Sequence, residues 1–276
     1  MAPTSASPGF PPSVAIVTGA ASGIGAAVAR RLAASGTRVC LADVSADALD
    51  AVARDIGPTA TACVTDVTDE DSCRSAVRAT RKAFGHPADI LVNAAGVSLN
   101  RATTEMTLAE WNRVFAVNVT GPFLLTRHAL PGMIERGRGS IVNVASLAAH
   151  RSLPETAAYS ASKAALIAFT RQMAADYGRH GIRANSVSPG ATATPMLLSE
   201  ARAAAEAAGI ELETFLEKAS AELPLRRIGR GEDVAEVCAF LAGDASTSVT
   251  GVDILVDSGT AGLDAFALAM TRLASP

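Results

Sequence analysis

From Val14 onward the chain alternates short β-branched runs with longer helical stretches, and this alternation restricts the possible folds more than any other feature. Val14–Thr18, Arg38–Asp43, Ala60–Val64, Ile90–Asn93, Ile141–Val144, Arg183–Ser188 and Asp253–Val256 read as strands. Gly23–Ser35, Ala46–Asp55, Glu70–Phe84, a long segment from Leu108 towards Ile134, Ala158–Tyr177 and Glu232–Ala242 read as helices. The strand runs are too apolar to keep one face in water, which suits parallel strands covered on both sides. Such regular alternation predicts a doubly wound parallel α/β sheet. No internal repeat or linker divides the chain, so one domain is expected from residue 14 to 276.

Two segments depart from this pattern. Met1–Ser13 holds four prolines with Ser, Thr and Gly, and reads as a disordered lead-in without the basic and apolar regions of a signal peptide. A cytoplasmic protein is therefore expected. Between Pro195 and Arg227 an Ala/Leu/Glu-rich helical excursion replaces a short loop. Long insertions in compact domains often serve as lids, and residues 195–227 are expected to cover a substrate.

Mean hydropathy is +0.27, high enough to raise the question of a membrane. No run approaches the length of uninterrupted apolar residues that a spanning helix needs. A formal net charge of −3 and an aromatic content of 4% argue against a nucleic-acid surface. Cys40, Cys63, Cys73 and Cys238 form no CxxC pair, the four histidines have no ligand spacing, and no metal site is expected.

Thr18-Gly19-Ala20-Ala21-Ser22-Gly23-Ile24-Gly25 follows the first strand and opens the first helix. Glycines at 19, 23 and 25 let the backbone turn sharply and approach a pyrophosphate. The helix start behind them offers N–H groups and positive dipole charge. The spacing is not GxGxxG, and a three-glycine turn alone is a weak signal; its place at strand one and helix one strengthens it. The fold expected is thus a single Rossmann-type sheet of about seven strands with helices on both faces. Asp43 ends the second strand, where an acid hydrogen-bonds the adenosine ribose and repels a 2′-phosphate. Val44 and Ser45 follow it and no Lys or Arg lies in the glycine turn, so NAD is expected over NADP.

These residues, together with Asp66-Val67, Asn93-Ala94-Ala95-Gly96 and Tyr159-Ser160-Ala161-Ser162-Lys163, occur in an order and spacing that resemble the short-chain dehydrogenase/reductase family. The resemblance runs from about Val14 to Gly262. It is similar in particular to the 3-oxoacyl-carrier-protein-reductase-like alcohol and ketone oxidoreductases. It implies that Asp66 and Val67 flank the adenine and that Asn93, Ala94 and Gly96 line the ribose side. Pro189-Gly190-Ala191-Thr192-Ala193-Thr194 matches the stretch that closes over the nicotinamide end. By that analogy Thr192 and Thr194 bond the carboxamide and phosphates. The resemblance also implies a homotetramer built through the two long helices and the last strand, with Leu124, Leu125, Leu166 and Phe169 exposed on a helix face. Residues Leu263–Pro276 continue further than in many relatives.

Tyr159 and Lys163 lie one helical turn apart, so both side chains share a face. An ammonium and an oxidised nicotinamide beside the phenol favour the phenolate. Tyr159 is then the general acid/base for the substrate oxygen. The resemblance gives Lys163 a hydrogen bond to the nicotinamide ribose. Ser146 ends the fifth strand at the edge where such sheets bind ligands, and its hydroxyl can polarise the substrate oxygen. Pro122 lacks the N–H that would bond the Asn118 carbonyl. A kink there frees this carbonyl to hold a relay water, unless Gly121-Pro122 is a plain bend. His150, four residues after Ser146, reads as a surface histidine or a pocket rim.

The expected function is an NAD-dependent exchange between a secondary alcohol and its ketone. Met196, Leu197, Leu198, Ile210, Leu212, Phe215 and Leu216 suggest an apolar, alicyclic small molecule. Two alternatives stand beside it. An NADPH-dependent 3-oxoacyl-carrier-protein or polyketide ketoreductase would use Arg226, Arg227 and Arg230 as a docking patch. A non-catalytic dinucleotide-binding scaffold or redox sensor would have no need of Ser146, Tyr159 and Lys163.

Overall fold

The computed structural model describes residues 13–264. The expected lead-in and the tail beyond Asp264 lie outside the described residues. The strands are β1 (Val14–Thr18), β2 (Arg38–Asp43), β3 (Ala60–Val64), β4 (Ile90–Asn93), β5 (Gly139–Val144), β6 (Ile182–Pro189) and β7 (Asp253–Val256). The helices are α1 (Gly23–Ala34), α2 (Ala46–Ile56), α3 (Glu70–Phe84), α4 (Leu108–Phe115), α5 (Gly121–Arg136), α6 (Ala157–Tyr177), α7 (Pro195–Ala208), α8 (Leu212–Ala221) and α9 (Gly231–Ala242). The sheet runs β3-β2-β1-β4-β5-β6-β7, with every neighbouring pair parallel. It is the single Rossmann-type sheet expected from the alternation.

The period-two alternation of strand side chains divides the core into two layers. Ala15, Val17, Val92 and Val142 face α1 and α9, where Val28, Leu32, Val234 and Leu241 are buried. Val14, Ile16, Leu91 and Ile141 face the other side, against Leu125, Leu130 and Met133 of α5. Strand order reverses between β2-β1 and β4-β5, which opens a crevice at the carboxyl edge. Register aligns the ends of β1, β2, β4 and β5 there, with Thr18 paired to Ala42 and Asn93, and Asn93 to Asn143.

Two expectations are corrected. The segment from Leu108 to Ile134 is not one helix: a π-turn at Ala116–Thr120 separates α4 from α5. Gly121 N–H reaches back to the Ala116 carbonyl, so the distortion starts upstream of Pro122, which sits at the start of α5. Leu124, Leu125 and Leu166 are not exposed; they are buried within the chain. An apolar helix face covered by its own sheet reads the same in sequence as one covered by another subunit. Phe123, 43% exposed, instead meets half-buried Phe169 edge-on at 6.4 Å between centroids.

At the opposite edge of the sheet, Asp89 ties three elements together. It is 2% exposed, accepts from Arg136 Nε at 2.6 Å and from Val14 N at 3.2 Å. Removing one partner of a buried pair leaves the other charge unmatched. Asp89→Ala is expected to lower the unfolding free energy by about 3 kcal/mol. Urea titration of the variant checks this; an unchanged midpoint would contradict it.

Candidate active site

The turn between β1 and α1 reverses the chain in four residues, and two of its glycines are required by contact. Gly19 has φ +66°, and a Cβ there would lie 2.8 Å from Ala95 N. A Cβ on Gly25 would lie 2.1 Å from the Gly19 carbonyl oxygen. Gly23 faces Thr194, whose Cγ2 would be 3.3 Å from an added Cβ. The turn is thus a bare backbone cradle at the start of α1, with Ser22 as the extended residue before the helix. A cleft of about 340 Å³ beside it is lined by Ser22, Gly23, Ala193, Pro195 and Arg230 among others. These features fit a dinucleotide diphosphate. Gly25→Ala must push the turn away from α1. It is expected to abolish cofactor binding and to cost about 1–3 kcal/mol of stability. Thermal unfolding with and without NAD(H) reads both effects; a ligand-induced rise in Tm equal to wild type would refute it.

Asp43 stands at the mouth of this cradle. Its Oδ2 accepts from Ala21 N at 3.2 Å and its Oδ1 from Ser45 N at 3.0 Å. Arg38, at the other end of β2, is occupied by His86 and lies over Phe84. Asp66 is exposed after β3, where its Oδ1 accepts from the Thr68 N–H and hydroxyl at 2.8 and 2.7 Å. The Val67 side chain is buried against Gly121, whose Cβ position is 2.9 Å away.

Asn93 ends β4, and the loop after it carries Ala94 and Gly96. Thr18 Oγ1 accepts from both Ala94 N and Ala95 N at 3.1 Å, pinning this loop to the glycine turn. The buried Asn93 side chain does not point out to the crevice. It donates to Asn143 Oδ1 at 2.8 Å, and Asn143 donates to Thr170 Oγ1 at 2.8 Å. This relay locks β4, β5 and α6, the elements around the catalytic candidates. On the far side, β6 ends at Pro189, and Gly190 packs so closely on Asp257 that a Cβ would meet Asp257 Cα at 2.8 Å. Thr192 is buried and donates to the Gly190 carbonyl at 3.1 Å, while Thr194 Oγ1 caps α7 by accepting from Leu197 N at 3.3 Å.

Ser146 follows β5 in extended conformation and accepts from Ala148 N at 3.1 Å. Tyr159, on the first turn of α6, lies beside the Ser146 hydroxyl. Lys163 is buried one turn further on, with Nζ 5.7 Å from the Tyr159 ring centroid. Its ammonium donates to the Val144 carbonyl at 2.8 Å, and burial pulls its pKa down to about 8. Burial pushes the Tyr159 phenol above its ordinary pKa, the Ser146 hydrogen bond pulls it back, and the charge of Glu200 pushes it up. Within the chain itself, burial outweighs the Ser146 hydroxyl and keeps the phenol protonated. The ammonium is spent on a backbone carbonyl and is itself short of solvent.

Asn118 lies fully buried in the π-turn. Its side chain clamps Val97, accepting from N at 2.9 Å and donating to O at 2.9 Å, and donates to Ser162 Oγ at 3.0 Å. Gly96 lies between the two partners: its Cβ position is 3.3 Å from Lys163 Nζ and 3.4 Å from Asn118 Oδ1. His150 is exposed on the turn after Ser146. It bonds Asp253 at 2.8 Å, and Asp253 also accepts from Ser186 and Ser188.

Three features escaped sequence reasoning. Thr18 reads in sequence only as the end of β1, and nothing in the sequence assigns a role to Ser162 between Tyr159 and Lys163. Glu200 was passed over inside the lid, although it sits one helical turn after Met196 and Leu197 on the same stripe. Ser98 donates to Glu200 Oε1 at 2.5 Å, tying the loop after β4 to α7.

Comparison with known proteins agrees with this geometry. A family model described as enoyl-(acyl carrier protein) reductase matches residues 19–261. The chain belongs to the short-chain dehydrogenase/reductase family, in its single-domain form. The cis-4-hydroxycyclohexanecarboxylate dehydrogenase of Sinomonas cyclohexanicum is 40% identical over 91% of this chain and 97% of its own length. A 3-ketoacyl-(acyl-carrier-protein) reductase from Brucella melitensis, solved with NADH, superposes with a TM-score of 0.81 at 33% identity, over 90% of this chain and 98% of that one. An actinorhodin polyketide ketoreductase variant solved with NADPH gives 0.87 at 34% identity, over 91% and 98%. The protein is an NAD(P)-dependent oxidoreductase of small alcohols and ketones. No helix among the described residues is long and apolar enough to cross a membrane.

Proposed function

We propose that the chain is an NAD-dependent dehydrogenase/reductase that interconverts a secondary alcohol and its ketone on a small, largely apolar ring. The observation that carries this reading is Tyr159 beside Ser146 with buried Lys163 Nζ 5.7 Å from its ring, at the crevice that the glycine turn also borders. Nicotinamide, when bound, supplies or accepts the hydride. Gly19, Ser22, Gly23, Ile24 and Gly25 would hold the diphosphate, and Asp43 the adenosine ribose. Asp66 and Val67 would flank the adenine, and Asn93, Ala94 and Gly96 the ribose side. Pro189, Gly190, Thr192 and Thr194 would close on the nicotinamide end. Ser146 orients the substrate oxygen, and Tyr159 takes or returns its proton. Lys163 binds the nicotinamide ribose and passes the proton on to a water held by the Asn118 carbonyl.

The ring preference draws on the apolar lid and on the Sinomonas relative, whose name specifies a hydroxycyclohexane. Carrier-protein docking is less well supported, because Arg227 is held by Asp233 at 2.7 Å and Arg230 approaches the same carboxylate. A panel of secondary alcohols and ketones, assayed with NAD(H) and NADP(H) side by side, tests the reading. Turnover of cyclic substrates with NAD(H) supports it; preference for carrier-linked acyl substrates with NADPH overturns it.

The direction of the Tyr159 shift sets the pH behaviour. A phenol held above its ordinary pKa is protonated at neutral pH. Reduction, which needs that proton, is expected to hold across neutral pH and fall in alkali; oxidation is expected to rise. An oxidation profile that falls as pH rises would contradict this. A homotetramer is part of the same proposal, with exposed Phe123 and Leu255 on the helix and β7 faces that would be covered. Light scattering is expected to give four subunits for the wild type and a smaller assembly for Phe123→Asp.

A further inference from the structure

The lid described above as apolar carries one acid that faces inward. Glu200 is half-buried on α7, beyond Met196 and Leu197 on the same stripe. Its Oε1 accepts the proton of Ser98, two residues after Gly96, and Gly96 borders Lys163 Nζ and Asn118 Oδ1. Glu200 is also close enough to Tyr159 for its charge to raise the phenol's pKa. The Ser98 bond thus holds one carboxylate against the loop that borders Lys163 and Asn118, and its charge acts on Tyr159 from there. Among the described residues, no lysine, arginine or histidine forms an ion pair with it.

We infer that Glu200 makes this site select a neutral substrate with a second hydroxyl and reject one that carries a carboxylate. This rests on the alcohol/ketone reading of the site and names its substrate class. An ionised carboxylate only accepts hydrogen bonds, and Ser98 satisfies one of its two oxygens. When a substrate displaces water from the pocket, the other oxygen must find a donor or remain desolvated. A hydroxyl remote from the reacting carbon supplies that donor. A hydrocarbon edge leaves the oxygen unmatched, and a substrate carboxylate adds a second negative charge beside it. The Sinomonas relative is named for an acid substrate. On this inference the present chain differs from it in the charge its pocket accepts.

The Ser98–Glu200 bond has a competing role as a simple latch that holds α7 to the loop after β4. Glu200→Gln separates the two, because the amide oxygen can still accept from Ser98 while the charge is lost. Wild type and Glu200→Gln are assayed with NAD(H) and NADP(H) on cyclohexanol, cyclohexane-1,3- and 1,4-diols, and 4-hydroxycyclohexanecarboxylate. The wild type is expected to favour a diol over cyclohexanol and over the acid by roughly 10-fold or more in kcat/KM. Glu200→Gln is expected to raise kcat/KM on the acid by about 10-fold and to narrow the preference for the diol. It should also move the rising limb of the oxidation pH profile to lower pH, since Tyr159 keeps Ser146 and Lys163 but loses a nearby negative charge. A latch alone would leave substrate ratios and pH profile unchanged. That result overturns the inference and leaves the proposed reaction standing. So does a wild type that prefers the acid, a result that needs no folded variant. No turnover of any alcohol or ketone with either cofactor overturns the proposed reaction, and this inference with it.

Discussion

Tyr159→Phe is expected to lower kcat in both directions by about 10²–10⁴-fold while cofactor binding stays within a few-fold of wild type. The substitution removes one oxygen, which lies beside Ser146 at the proposed site of proton transfer. It leaves the ring in the same part-buried space, so packing and the nearby Lys163 are disturbed little. Removing a group that acts in the transition state lowers kcat and kcat/KM together. A variant that lost only substrate affinity would instead show a raised KM with kcat unchanged. That outcome would make Tyr159 a binding residue and remove the acid/base role. Lys163→Met should combine a lower kcat with weaker cofactor binding, because the ammonium is proposed to serve both.

The second large effect concerns cofactor choice. The wild type is expected to use NAD over NADP by at least about 100-fold in kcat/KM. A carboxylate against a 2′-phosphate costs several kcal/mol, and about 3 kcal/mol is roughly that factor. Asp43 is placed for this by its own backbone bonds to Ala21 and Ser45, which hold the carboxylate at the cradle mouth. Val44 beside it is 66% exposed, so an arginine there has room in solvent. Asp43→Asn combined with Val44→Arg should shrink or reverse the preference. Asp43→Asn alone should also loosen the turn, since an amide offers one acceptor oxygen where two donors now bond. Equal use of both cofactors by the wild type would refute the assignment of Asp43. It would leave the catalytic group untouched.

Much of this architecture was legible because burial and periodicity leave direct marks on sequence. The seven apolar runs became seven parallel strands, five of them with the bounds read from the chain, since each is flanked by turn residues and the central ones are covered on both faces. The glycine turn was legible for a related reason: no side chain fits where Gly19 and Gly25 sit. The break between α4 and α5 was located only roughly. Pro122 announces a missing donor, but a π-turn closes through bonds further upstream that no single residue type encodes. Leu124, Leu125 and Leu166 were misplaced because periodicity reports that a face is covered and not by what. The sequence motifs place Asn93 on the ribose side and give the Asn118 carbonyl to a water, but they do not show that both side chains spend their hydrogen bonds inside the protein. The charge on the pocket wall was missed for the opposite reason. In the sequence Glu200 is one more acid in a surface helix, and only the Ser98 bond shows which way it faces.

The central claim is hydride exchange between a secondary alcohol and a nicotinamide, with Tyr159 carrying the proton. Its most direct measurement is isotope transfer from a secondary alcohol deuterated at the carbinol carbon, followed by NMR of the reduced nicotinamide. Full transfer of the label to the nicotinamide ring by the wild type, and loss of that transfer in Tyr159→Phe, is the predicted result. Label that stays on the alcohol with both NAD and NADP across the cyclic substrates, or that transfers equally well in Tyr159→Phe, would contradict the account.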